Sequence, residues 1–232
     1  MKNKNKVILI IIVIVILISI IVSTLFRIEY FKESQIIKEG YYIGNLHTHT
    51  TTSDGEMSYH EVIETAKSLG FDFIAITDHD TISFATSLLC PKEKRILCII
   101  GEEVTSKDGH ILAIGINHPI PPYLSAEETI KKIHEQGGIA ISAHPDPFSL
   151  NTEKIKNLEI DAFECNPFTH SEIYNYSCEL IQNFPYVYNS DAHEKKQLSI
   201  VANKCWMTNL SFEALKEAIK KGNCSEFKPK VI

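Results

Sequence analysis

The stretch "FDFIAITDHD" (71–80) is an apolar run, broken only by Asp72, that stops abruptly in a cluster of carboxylates and imidazole. A strand with one face in water alternates apolar and polar residues, whereas a short continuous run rich in Phe and Ile reads as a strand buried on both faces. The same pattern recurs in "YYIGNLH", "RILCIIGEE", "HILAIGI", "GIAISAHP", "IDAFECNP", "YVYNSDAH" and "KCWMT". Helix-like segments lie between these runs at 58–69, 125–136, 171–182 and 211–221. The first two open on "SYHE" and "SAEE", in which a Ser and a Glu three residues later cap the helix start reciprocally. Seven or eight such units predict an α/β fold with a parallel sheet covered by helices. An open doubly wound sheet is the alternative. The placement of His, Asp and Glu at the carboxyl ends of the runs favours a β/α barrel, the architecture that builds its sites there.

The opening "MKNKNK" precedes twenty residues, 7–26, without a charge. At roughly 1.5 Å per residue they span about 30 Å, the thickness of a bilayer core. They read as an uncleaved transmembrane helix; a secretory signal is the alternative, but "IIVSTLFRIEY" offers no small-residue cleavage site. The expected organisation is a basic tail (1–6), a membrane helix (7–26), a juxtamembrane linker (27–40) and one catalytic domain (41–232). Lys2, Lys4 and Lys6 face Arg27, Lys32 and Lys38 across the segment, so the positive-inside rule only mildly favours an extracytoplasmic domain on a single-pass membrane protein.

Beyond residue 26 the chain carries 29 acidic and 20 basic side chains, with no basic stripe of the kind that grips nucleic acid. A polyanionic substrate would have to be drawn by bound metal. The six cysteines include no C-x-x-C pair, which argues against a structural zinc knuckle. They are expected to be mostly buried small hydrophobes. Cys90 and Cys98, eight residues apart, are the pair to test for a disulfide.

Chemistry concentrates in "GNLHTHTTTSDGE" (44–56). In a strand alternate side chains share a face, so His47 and His49 can converge on one point, with Asp54 close behind. Other strand ends add Asp78, His79 and Asp80, Glu102 and Glu103, His110, His144, and Asp191 with His193. Singly each has an ordinary explanation as a loop residue, a surface acid or a helix cap. Jointly they point to a multinuclear metal site. Imidazole and carboxylate without thiolate suit zinc, manganese or iron. His60, His118 and His134 fall outside the pattern and read as surface or packing residues. His170, in "NPFTH", and Lys195 and Lys196, beyond the last ligand, are candidates for phosphate contact.

The motifs "HTHTTTSDG", "ITDHDT", "GEE", "AHP" and "SDAH", in this order, resemble those of the PHP (polymerase and histidinol phosphatase) metallo-phosphoesterases over about residues 41–208. The resemblance implies a distorted seven-stranded, TIM-like β/α barrel and two or three divalent ions. It implies that His47, His49, Glu103 and Asp191 hold one ion, that Glu103 bridges to a second held by His110 and His144, and that Asp54, His79 and His193 hold a third. Glu103, Asp191 and His193 are then the catalytic candidates. The implied activity is hydrolysis of a nucleotide, an oligonucleotide (short RNA or DNA) or a small phosphomonoester by a metal-bridging hydroxide. Only a short segment separates His110 from His144, so a substrate-capping insertion is not expected. A metal-dependent amidohydrolase-like enzyme and a non-catalytic metal-binding module remain alternatives, because ligands alone do not choose the bond. No G-x-S-x-G elbow occurs, and no protein partner is inferable.

Overall fold

The computed structural model describes residues 38–145, 150–165 and 183–230. The proposed membrane segment, the helix expected at 171–182, His170 and Cys178 lie outside them. Among the described residues no helix is long and apolar enough to cross a membrane. The expectation of a single-pass membrane protein is corrected on that finding and is not carried further.

Residues 39 onward form one compact unit. Its strands are β1 (Gly40–Asn45), β2 (Phe73–Ile76), β3 (Leu97–Ser106), β4 (Gly109–Ile114), β5 (Ile139–Ser142), β6 (Ala162–Cys165), β7 (Tyr186–Tyr188), β8 (Ala202–Met207) and β9 (Cys224–Phe227). They make a single sheet in the order β7-β6-β5-β4-β3-β2-β1-β8-β9. This is an α/β fold with a nearly closed, barrel-like sheet, and it corrects two expectations. Among the described residues the sheet has nine strands, not seven, and it is mixed, not parallel. Pairs β1–β2, β2–β3, β5–β6 and β6–β7 are parallel, but β4 runs against both β3 and β5, and β8 against both β1 and β9. The reason is local. Lys107 and Asp108 alone separate β3 from β4, and a link that short can only make a hairpin; Gly109, at φ 119°, turns it.

The helices are α1 (Tyr59–Ser68), α2 (Phe84–Leu89), α3 (Ala126–Glu135), α4 (Leu150–Ile155) and α5 (Phe212–Lys220). Both expected capping boxes form, Ser58 with Glu61 and Ser125 with Glu128. Helices α2 and α4 went unread because six residues are too few for a 3.6-residue period to register.

Strand alternation divides the core into layers. Phe73, Ala75, Leu112, Ile114, Ile139, Ile141 and Ala162 line the barrel interior, where Leu215 and Ile219 of α5 join them. The intervening residues face outward. Ile74 and Ile76 meet Val62, Ile63 and Ala66 of α1, and Ile111, Ala113 and Ala140 meet Ile130 and Ile133 of α3. The inward set comes from the beginnings of β2 and β5 and the end of the reversed β4, so α5 plugs the end of the barrel away from the carboxyl ends of the parallel strands. At about 25 cal/mol per Å² of apolar surface removed from water, these layers are the main favourable term of folding.

Side chains complete the barrel where strand pairing stops, between β7 and the paired strands β1 and β8. Asn189 Oδ1 accepts from Leu46 N (3.0 Å) and from Asn203 Nδ2 (2.8 Å). Asn203 in turn accepts from Tyr188 N (2.7 Å) and donates to Tyr188 O (3.0 Å). Asn45 donates to Ser190 Oγ and Val201 O, both at 3.0 Å. All three asparagines are fully buried. Beyond this seam the segments that follow β1 and β7 touch as backbone, with His49 N donating to Ala192 O (2.9 Å).

The cysteines are corrected in part. Cys90 and Cys98 form the anticipated disulfide, which ties the turn after α2 to β3, but Cys205 is bonded to Cys224 across β8 and β9 rather than packed as a free thiol.

Replacing Asn203 with Ala strands the Tyr188 N–H inside the seam. Each buried group so orphaned costs about 1–3 kcal/mol, so urea denaturation of Asn203→Ala should show an unfolding free energy lower by roughly 3 kcal/mol. An unchanged midpoint would mean that the seam does not hold the barrel.

Candidate metal centre

The carboxyl ends of the parallel strands and the start of the reversed β4 meet at one mouth, and the candidate residues gather there. The chain bends at Leu46 and then runs extended, so His47 and His49 flank Thr48, which bridges in parallel to Ala192. His79 bridges to Glu103 in the same way. His110 arrives from the opposite direction, second in β4, because the hairpin returns the chain to the mouth. Its partner in the hairpin register is Thr105.

Asp78 shapes the loop between His49 and Asp54 by accepting from Thr50 N (2.7 Å), Thr50 Oγ1 (2.8 Å) and Ser53 Oγ (2.9 Å). Gly55 lets that loop fold close, since a Cβ there would lie 2.5 Å from His49 O. His144 at φ 26° and Asp191 at φ 51° hold backbone conformations that non-glycine residues seldom adopt. Strain of this kind collects where side-chain placement matters more than stability.

Glu103 lies at the centre, 1 % exposed. Its Oε1 lies 2.8 Å from both His110 Nδ1 and His144 Nε2. Its Oε2 lies 3.1 Å from His47 Nε2, 3.2 Å from His49 Nε2 and 3.5 Å from His79 Nε2. Asp191 Oδ1 sits 3.1 Å from both His47 Nε2 and His49 Nε2. At the rim, Asp54 lies 3.3 Å from His49 Nδ1 and from His193 Nε2, and 3.6 Å from His79 Nε2. All nine predicted ligand residues lie in this cluster, but His144, which meets Glu103 Oε1, falls in none of the groups whose donor atoms are close enough to share one ion. Glu102 lies outside the cluster: it points to the opposite face of β3 and accepts from Ile120 N. Lys195 is exposed on the turn after His193.

The side chains fit divalent ions. Three groups have donor atoms close enough to share one: His47, His49, Glu103 and Asp191; His49, Asp54, His79 and His193; and His79, Glu103 and His110. In the first group the Nε2 atoms of His47 and His49 face each other at 3.0 Å. Asp191 Oδ1 is buried without a properly aligned hydrogen bond. A tetrahedral ion with bonds of roughly 2.0–2.1 Å sets its ligand atoms about 3.3 Å apart. The observed separations of 3.0–3.2 Å match that spacing.

Charge is arranged to the same end. Burial alone would push His47 down, but the Glu164, Glu103 and Asp191 carboxylates hold it well above the usual imidazole value. His49 and His144 are likewise raised against their burial, His49 by Asp191 and Glu103, His144 chiefly by Glu103. Burial opposes ionisation of Glu103 and Asp191, yet the surrounding imidazoles hold both below the ordinary carboxylate range. Burial depresses His79 and pushes Glu102 up to about 7.

Residues 45–219 match the model of the PHP domain, three quarters of the chain. The chain belongs to the PHP domain family. Among curated proteins it is 40% identical over 107 residues to the uncharacterized protein MJ1587 of Methanocaldococcus jannaschii, a match covering 44% of this chain and 62% of that one. It is 30% identical over 102 residues to a 5'-3' exoribonuclease of Haemophilus influenzae, covering 42% and 37%. It therefore spans less than two thirds of either relative. A solved two-domain protein from Bacteroides vulgatus, containing a predicted PHP-like metal-dependent phosphoesterase, superposes with a TM-score of 0.66 at 18% identity, covering 82% of this PHP chain and 66% of that one.

One further residue of this PHP site went unread. Glu164, 1 % exposed in β6, accepts from His47 Nδ1 (2.8 Å), Asn189 Nδ2 (3.0 Å) and His144 N (2.7 Å). The signal was present in "AFEC": Glu164 shares the inward face with Ala162, and a carboxylate on a core-facing position must have partners.

The metal-free protein should be most stable between about pH 5 and 6.5. Glu103, Asp191 and Asp54 have depressed values, so their stabilisation is present above the ordinary carboxylate value of about 4 and is lost as pH falls through the folded values. His47, His49 and His144 have raised values, so theirs is complete below about 6.5 and is lost as pH rises. Glu102, raised by burial to about 7, loses its contribution as pH rises from about 4.5 to 7, so it tilts the plateau toward its acid side. His79, depressed, works the other way. Thermal midpoints of the chelated protein from pH 4 to 9 should trace this maximum, and a flat profile would contradict it.

Proposed function

We propose that this PHP protein hydrolyses phosphate esters with divalent ions held at the mouth of the barrel. One observation carries the proposal: the two oxygens of Glu103 face separate sets of donors, His110 and His144 on one side and His47 and His49 on the other. That is how a carboxylate shared by two ions is built. His47, His49, Glu103 and Asp191 would hold the first ion, and Glu103, His110 and His144 the second. Asp54, His79 and His193 would hold a third, with His49 Nδ1 facing Asp54 from below. Such ions lower the pKa of water and neutralise charge on phosphoryl oxygens.

The chain's own side chains supply position and access. His47, His49 and Glu103 are sealed from solvent, whereas Asp54, His79, His110, His144 and His193 are reached by it, so a substrate phosphate would meet the cluster across this rim. A cleft of about 280 Å³ beside His110 and His144, lined by Ser142, Asn151, Thr152 and Ile155, offers room for the organic part of a small ester. Between His110 and His144 the chain forms only β4, α3, β5 and their connections, so this stretch adds no substrate-capping insertion. Nucleotides and short RNA are the substrate class we favour. The Haemophilus relative is named for an exoribonuclease activity, and an acidic chain would recruit such anions through its ions. Lys195, exposed on the turn after His193, would add a cationic contact for the substrate.

The purified chain should be inactive after chelation and regain hydrolysis of nucleotide monophosphates, a cyclic phosphate or a short RNA with manganese or zinc. Glu103→Gln should lower kcat by on the order of 10²–10³-fold, as when a group that stabilises developing charge is lost. Ion uptake without turnover on any ester would favour a non-catalytic metal-binding module.

A further inference from the structure

Glu164 touches neither Glu103 nor Asp191 in the contacts above, yet its two oxygens reach the supports of two different ion positions. The proton positions around it follow from fixed donors. Leu46 N–H can only donate, which makes the atom of Asn189 facing it the carbonyl oxygen. The amide nitrogen of Asn189 therefore donates to Glu164 Oε1. His144 N–H, also only a donor, takes Oε2. With donors already set on both oxygens, Glu164 is an acceptor toward its third neighbour, so the proton of that contact sits on His47 Nδ1. The lone pair of a neutral His47 is then left on Nε2, the atom that faces His49, Glu103 and Asp191.

We propose that Glu164 is a positioning residue for both ion positions bridged by Glu103. It fixes His47 as the Nδ1–H tautomer with Nε2 open to the first ion, and by holding the His144 main chain at φ 26° it aims that imidazole at the second. A carboxylate behind a ligand imidazole usually serves one ion; here a single side chain serves two, on opposite sides of Glu103. The proposal rests on the metal-binding role argued above, but its tautomer component does not need an ion.

Gln at position 164 tests it, because an amide has one acceptor where the site needs two. With its NH2 toward His47 it favours the tautomer that puts a proton on Nε2. Turned the other way, it sets donor against donor at His144 N–H. Glu164→Gln should thus lower the affinity of at least one bound manganese or zinc ion by about 10–100-fold in calorimetric titration. The metal-induced rise in melting temperature should shrink in parallel. Glu164→Asp keeps the charge but withdraws the oxygens, and should lose affinity to a smaller degree; it also serves if the Gln variant does not fold. Wild-type stoichiometry and affinity in a folded variant would overturn the proposal.

Ring ¹⁵N spectra of the chelated wild-type protein separate this failure from failure of the metal reading. Nδ1 of His47 should carry a proton at every pH at which the protein stays folded. A neutral ring protonated on Nε2 would refute the tautomer whether or not ions bind. Wild-type protein that takes up no ion, yet shows the Nδ1–H ring, would overturn the claim that Glu164 serves two ions and leave only its effect on His47.

Discussion

A single carboxylate buried among five imidazoles governs this molecule. Glu103 has lost its water, and an uncompensated charge in that position would cost several kcal/mol. It is sustained by His110 and His144 at one oxygen and His47, His49 and His79 at the other. The imidazoles in turn crowd one another: His47 and His49 stand with ring nitrogens 3.0 Å apart, a separation that two protonated rings would resist. Neither the acid nor the bases are comfortable alone. Their common geometry satisfies them only when positive charge sits between them, as shared protons or as ions, and this makes the cluster a receptor rather than a salt bridge.

The fold exists in this form to keep those groups together. Parallel strands deliver His79 and Glu103 side by side, and the hairpin that reverses β4 brings His110 back to the same rim after only two turn residues. The asparagine seam closes the remaining side, and it does more than replace missing backbone pairing. Asn189 holds Leu46, immediately before His47, and with its other end supports Glu164. A defect in the seam would therefore travel directly to His47, which Glu164 contacts. Helix α5 plugs the end of the barrel far from the cluster with Leu215 and Ile219.

What could be read from the chain divides along physical lines. Strand runs ending in His, Asp or Glu were visible because burial on both faces leaves an unbroken apolar signature, and Ser58 and Ser125 announced their helices through caps that act within one turn. Strand polarity was not visible: "HILAIGI" has the same composition whether it runs with its neighbours or against them, and only the brevity of "KD" before Gly109 carried that information. Strand β9, "CSEF", has half-exposed and exposed residues and so lacks the apolar signature. The candidate ligands stood out as chemically unusual types at strand ends. Glu164 and the three asparagines are equally necessary to the geometry but sit in mid-strand or in seams, where their role depends on partners 14 to 156 residues away.

Backbone strain shows which of these constraints prevails. His144 and Asp191 each hold a positive φ, and Asp80, beside His79, another at 50°. Each costs on the order of 1–3 kcal/mol, which a chain selected for stability alone would remove by placing glycine there. Glycine has no side chain to offer, and at 144 and 191 the side chain is the reason for the position. Asp80 is held by donation from Thr105 N to its Oδ1 and by its own N–H to Glu103 O, so its strain fixes the backbone of Glu103 itself. The barrel thus spends stability at three points around one carboxylate, and the layers of Ile, Leu and Phe beneath the mouth make that expenditure tolerable.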